Sequence, residues 1–136
     1  MQRAILAGLW YFAPVMVAAF LLGVIRVTLI VPALGSAFAA VALEVPLVLV
    51  ISWLVAGVVL RRFGPFSNAQ ALTLGGTAFA LLMTSELALA QGLADQNAAQ
   101  WLAQLTTPTG LLGLAGQMVF ACIPAIRNGR PAPATD

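Results

Sequence analysis

Apolar residues run along this chain in four long blocks, separated by short stretches that carry charge, Pro and Gly. The blocks extend from about Ala4 to Ile30, Ala37 to Leu60, Ala69 to Ala94 and Thr109 to Ile126. A helix needs about 20 mostly apolar residues to cross the hydrocarbon core, so the pattern predicts an all-α integral membrane protein with four transmembrane helices. The connection Val31-Pro32-Ala33-Leu34-Gly35-Ser36 predicts a tight helical hairpin, because Pro and Gly punctuate helices. Arg61-Arg62-Phe63-Gly64-Pro65-Phe66-Ser67-Asn68 separates the second block from the third, and Asp95 to Thr107 separates the third from the fourth. Within that last stretch Ala98, Trp101, Leu102 and Leu105 repeat at i, i+3, i+4, i+7, while Gln96, Asn97, Gln100 and Gln104 fall elsewhere. This predicts a short amphipathic segment between helices 3 and 4, lying on the outer membrane surface and anchored by Trp101, with a lid over an outward-facing cavity as the second reading.

Composition makes lipid the main solvent. The 136 residues are 62% hydrophobic and 7% charged, where a soluble domain carries about a quarter charged residues. The chain has no His and no Lys, which removes His-ligated haem, the common zinc sites, His general bases and Schiff-base lysines. A single cysteine, Cys122, forms no intrachain disulfide, and its apolar surroundings predict a small buried hydrophobe. No phosphate-binding glycine motif is present. Neither a metal, a cofactor nor a nucleic-acid partner is expected; the first partner is the bilayer.

The six basic residues are all Arg and set the topology. With four spans, Arg3, the Arg61–Arg62 pair, and Arg127 with Arg130 fall on one side, and the other two connections hold only Asp95. Arginines collect on the cytoplasmic side, so both termini are expected there. A cleaved leader is the competing reading of the first block, but the run from Ala4 to Ile25 outlasts the usual apolar stretch of about 7–15 residues. The expected organisation is one transmembrane domain over 1–127 and a flexible cytoplasmic tail over 128–136.

Three charges lie inside the blocks: Arg26, Glu44 and Glu86. Each costs about 2.5–3.5 kcal/mol on insertion scales when placed centrally in a span, so each needs a partner or a task. Arg26 lies nine residues before Gly35 and Glu44 nine after it; Glu86 lies nine before Asp95 and Gln117 nine after Pro108. At 1.5 Å per residue this puts one polar side chain per helix about 13 Å below the outer connections. Arg26 and Glu44 are expected to pair across the first hairpin, leaving Glu86 without a full counter-charge. Two readings follow. In one, Arg26, Glu44, Glu86 and Gln117 form a proton, cation or small-solute site of a small carrier, since intramembrane carboxylates mark proton and ion pathways. In the other, the layer only locks helix packing, as polar side chains do between membrane helices.

Pro46 removes an N–H and frees the carbonyl of Ala42 beside Glu44, which reads either as a ligand or as a plain kink; Pro14 and Pro124 read as kinks. Small residues flank the polar ones: Gly23 near Arg26, and Gly110 and Gly113 on the face that carries Gln117, Phe120 and Pro124. These glycines are expected to let helices approach closely. An enzyme is not expected. The blocks hold no Asp, Ser85 is adjacent to Glu86 and so points elsewhere, and Ser52 is about 80° around the helix from Glu44.

Taken in order, Gly23-x-x-Arg26, Pro32, Glu44-x-Pro46, Ser52, Arg61-Arg62-Phe63, Glu86, Pro108-x-Gly110 and Phe120-Ala121-x-x-Pro124 resemble a family of small, uncharacterised proteobacterial four-span inner-membrane proteins. The resemblance covers nearly the whole chain. It implies multi-pass insertion in the bacterial inner (cytoplasmic) membrane and implies no activity, cofactor or substrate. Small multidrug carriers also have four spans and a membrane Glu. Here the acids sit on the second and third spans and an Arg on the first, so that function is not carried over. Function is left between a carrier, as a homodimer, and an accessory subunit of a larger membrane complex.

Overall fold

The computed structural model describes residues 1–129. Helix α1 covers Gln2–Ile25 and runs through a π turn, Arg26–Ile30, into the short α2, Val31–Leu34. Then follow α3 (Ala37–Phe63), α4 (Asn68–Ala94), α5 (Ala98–Leu105) and α6 (Pro108–Asn128). Among the described residues, four helices are long and apolar enough to cross a membrane: Gln2–Leu34, Ala37–Phe63, Asn68–Ala94 and Pro108–Asn128. The part of the expected tail from residue 130 on, with Arg130, lies outside the described residues.

The first turn is tighter than its sequence suggests. Val31–Leu34 is helical, and the break is confined to Gly35 and Ser36. Pro32 sits in the first turn of α2, where a missing N–H costs little. Gly35 ends the helix at φ +65°, a left-handed conformation that favours Gly. Ser36 then caps α3 by accepting the Ala39 N–H. The later helices begin with the same chemistry. Ser67 and Gln70 form a reciprocal capping box on α4, as do Asn97 and Gln100 on α5, and Thr107 with Pro108 starts α6. Arg61, Arg62 and Arg127 close α3 and α6 at the negative ends of their dipoles.

Sequence neighbours are not all neighbours in space. Helix α1 packs on α3 and α4, and α6 packs on α3 and α4; among the described residues the diagonal pairs α1/α6 and α3/α4 do not approach at the backbone. The link from α3 to α4 therefore crosses the end of the bundle that holds Arg3 and Asn128. It contains a cis Gly64–Pro65 bond and carries Phe66, which is buried. Arg3 donates to the Gly64 carbonyl and stacks 5.6 Å from the Phe66 ring, and the Asn128 amide donates to the Phe66 carbonyl at 3.0 Å.

The core gathers at this same end. Ala4, Ala7, Tyr11 and Val15 of α1 meet Ala56 and Val59 of α3, Leu74 and Ala78 of α4, and Phe120 and Ile123 of α6. Small residues make the packing possible. A side chain on Gly75 would overlap the Ala121 carbonyl, and one on Gly8 would come within 2.8 Å of the Leu74 carbonyl. Gly57 leaves the space that the Arg127 guanidinium fills, from which Arg127 donates to the Trp53 carbonyl at 2.6 Å and lies 5.0 Å from the Trp53 ring. Cys122 is exposed on the outer face of α6, not buried as its apolar surroundings suggested; the buried face of that turn belongs to Phe120, Ile123 and Pro124.

One hydrogen bond braces the diagonal. Tyr11 is fully buried, its ring stacks on Phe120 at 4.6 Å, and its hydroxyl donates to the Phe120 carbonyl at 2.9 Å. That carbonyl is available because the residue four places on is Pro124, which has no N–H to offer it. Pro124 is thus more than a kink. Ser52 lies beside the phenol and returns its own hydroxyl to the Val48 carbonyl at 2.7 Å.

Two outcomes are expected in thermal unfolding of the detergent-solubilised protein. Gly75→Ala should lose about 1–3 kcal/mol through overpacking, while Gly76→Ala, whose side chain meets nothing within 4 Å, should be neutral or gain up to about 1 kcal/mol. Tyr11→Phe should cost about 1–2 kcal/mol and should cost less in a Pro124→Ala background, where the Phe120 carbonyl regains a helical donor. Equal costs in the two backgrounds would break the link between Tyr11 and Pro124.

Candidate functional site

Beyond the Tyr11–Phe120 level the helices leave between them a partly open cavity of about 650 Å³. Its floor is Val15, Leu49, Leu82 and Phe120; Trp101, Gln104 and Leu105 of α5 line its far end. Arg26, Glu44, Glu86 and Gln117 all line it, so the four helices bring their expected polar residues into one compartment. The walls are otherwise mainly aliphatic.

Each polar side chain is positioned by its own helix. Arg26 opens the π turn, in which the Val31 N–H reaches back five residues to the Arg26 carbonyl. A π turn is wider than an α turn and recurs at functional positions. The Arg26 Nε donates to Glu44 Oε2, joining the first span to α3; the pair is 28% and 16% exposed at the side chains. The Gln117 amide nitrogen donates to Glu86 Oε1, joining α6 to α4. Arg26 and Glu44 together are neutral. Glu86 has an uncharged amide as its hydrogen-bond partner, with Glu44 and Arg26 acting on it only through space. Gln117 Oε1 is buried and accepts no hydrogen bond. Among the described residues no three metal-ligating side chains gather closely enough to hold an ion.

The flanking residues do several different things. Gly23 stands beside the ion pair, where a side chain would make ordinary contact at 3.9 Å from Arg26 and 4.0 Å from Glu44. Gly113 does not serve helix approach: a side chain there would meet nothing within 4 Å, because the residue faces the cavity. Gly110 does serve close approach, but toward α5, where a side chain would overlap the Gln104 carbonyl. The residue at which α6 approaches α3 is Gly116, with Val45 2.8 Å from where its side chain would begin. Pro46 and Ala42 are exposed on the outer side of α3 and do not line the cavity, so the carbonyl freed by Pro46 is no ligand to anything held there.

Sequence reasoning missed the floor. Val15, Leu82 and Phe120 look like any other apolar positions until the helices are assembled. The Trp101 segment reads in sequence first as an interfacial anchor and second as a lid, and Trp101 does line the far end of the cavity. The signal that was present and unused is Pro124, which frees the carbonyl that Tyr11 takes.

No family model, curated protein or solved structure matches the chain.

Proposed function

We propose that this chain is a small carrier of the bacterial inner membrane, with both termini cytoplasmic and its cavity serving a proton, a cation or a small polar solute from the outer side. The observation that carries this reading is the convergence of Arg26, Glu44, Glu86 and Gln117 on one cavity of about 650 Å³. That volume falls in the usual range of small-molecule sites, which are mostly apolar with a few placed polar groups. Arg26 is spent on Glu44, so Glu86 holds the charge that a proton or a cation would balance.

The orientation rests on charge. Arg3, Arg61, Arg62 and Arg127 belong to one end of the bundle, and Asp95 is the charged residue of the opposite connections. On this reading α5 lies on the outer surface, with Trp101 turned to the cavity. The resemblance to small proteobacterial inner-membrane proteins supports the compartment. Four helices enclose little space, so a homodimer is the working unit. No enzyme activity is part of the proposal; Ser52 turns to its own helix at Val48 and offers no nucleophile to the cavity.

A second reading has one observation in its favour. The two polar contacts tie neighbouring helices together, Arg26 to Glu44 and Gln117 to Glu86, as a packing clamp in an accessory subunit would.

Reconstituted proteoliposomes with an internal pH dye separate the two. The carrier reading expects wild-type protein to dissipate an imposed pH gradient faster than empty vesicles, and Glu86→Gln to reduce that excess at least tenfold. A wild-type rate equal to that of empty vesicles, with a stoichiometric partner recovered in native purification, would favour the accessory subunit.

A further inference from the structure

The cavity has a neighbour on the outside of the bundle. Between α1 and α4 lies a groove of about 470 Å³, lined by Met16, Val17, Phe20 and Leu21 on one side and by Ser85, Ala88 and Leu89 on the other. It exists because these helices part company. At Gly8 they are in backbone contact, with the Leu74 carbonyl 2.8 Å from where a side chain would start; two to three turns further along, the side chains no longer fill the gap. Leu89 lines both the groove and the cavity. It stands one turn from Glu86, so it borders both the carboxylate's compartment and the groove on the outside of the bundle.

We propose that the cavity takes an amphiphilic amine, which enters sideways from the bilayer between α1 and α4 past Leu89 and sets its ammonium against Glu86. This deepens the carrier reading by naming a ligand class and rests on the cavity being a solute site. Three observations fix the class. The aliphatic walls suit an apolar body. The charge left over after Arg26 pairs with Glu44 is negative, so the head is a cation; an anion would face two carboxylates. Gln117 Oε1, on the side chain bonded to Glu86, is a second acceptor without a donor, and an amine with N–H groups supplies donors where a quaternary ammonium supplies none. The route follows from the groove. Leu89, which lines both spaces, is the residue at which they meet.

The test is photolabelling in nanodiscs of phosphatidylcholine and phosphatidylglycerol, using a twelve-carbon primary amine with a mid-chain diazirine and the matched alcohol. The amine is expected to label peptides of α1 and α4 at least tenfold more than the alcohol. Glu86→Gln should bring it down to the alcohol level. Gly113→Leu starts from a position where an added Cβ meets nothing within 4 Å, projects into the cavity, and should lower amine labelling at least fivefold, which keeps the test open if Glu86→Gln misfolds. Leu89→Trp should slow the onset of labelling. Equal labelling by amine and alcohol, or labelling indifferent to both Glu86→Gln and Gly113→Leu, overturns the ligand class; onset unchanged in Leu89→Trp overturns the route. Competition by added phosphatidylethanolamine would identify the amine as a lipid headgroup, and its failure to compete would identify a free amine. Glu86-dependent proton flux without amine labelling defeats this inference and leaves the carrier reading standing; labelling without flux does the reverse.

Discussion

A polar group inside the hydrocarbon core has no water to turn to, so it must be satisfied by the protein. That constraint organises this bundle. Pro124 leaves the Phe120 carbonyl without its helical donor, and Tyr11 on the diagonally opposite helix supplies one. Arg26 is held by Glu44, and Glu86 by Gln117. Arg127, short of the end of its helix, reaches the Trp53 carbonyl over the space left by Gly57. In each case the partner comes from another helix, so satisfying the polar groups also fixes which helices touch.

The bundle is consequently uneven along its length. At the end that holds Arg3 and Asn128, Ala and Gly let the helices close up around Tyr11 and Phe120, and Phe66 seals the end. At the other end α3 and α6 still approach at Val45 and Gly116, but the four helices leave a space between them that is lined by the charged side chains. The compartment is closed at one end, by the packed Tyr11–Phe120 level.

Much of this was legible in the sequence. Four apolar blocks gave four helices, and counting nine residues from Gly35, Asp95 and Pro108 found the four polar side chains that share the cavity. That arithmetic works because helical rise is constant, so depth is linear in sequence. Lateral relations are not. Pro46, read either as freeing a ligand beside Glu44 or as a plain kink, lies on the outer side of α3; the proline whose freed carbonyl acquires a partner is Pro124, because Tyr11 faces Phe120 across the bundle. Gly113 was expected at a helix contact and faces open space, while Gly116, one turn on, approaches Val45. Cys122 falls on the outer face. Such outcomes depend on rotation about the helix axis and on which helices are diagonal, and neither is fixed by an apolar block.

The diagonal link from α3 to α4 divides the molecule into two hairpins, α1 with α3 and α4 with α6. The Arg26–Glu44 pair lies wholly within the first, and the Glu86–Gln117 pair wholly within the second. The described polar contacts that cross the seam, from Tyr11 to Phe120, from Arg127 to Trp53 and from Thr73 to Met1, are at the sealed end. During synthesis, therefore, the first hairpin brings its own counter-charge into the bilayer and does not wait for the second half to neutralise Arg26. Order of assembly is written into the pairing: the first half carries its own counter-charge, and the second meets its carboxylate with a neutral amide, before the two are sewn together at one end.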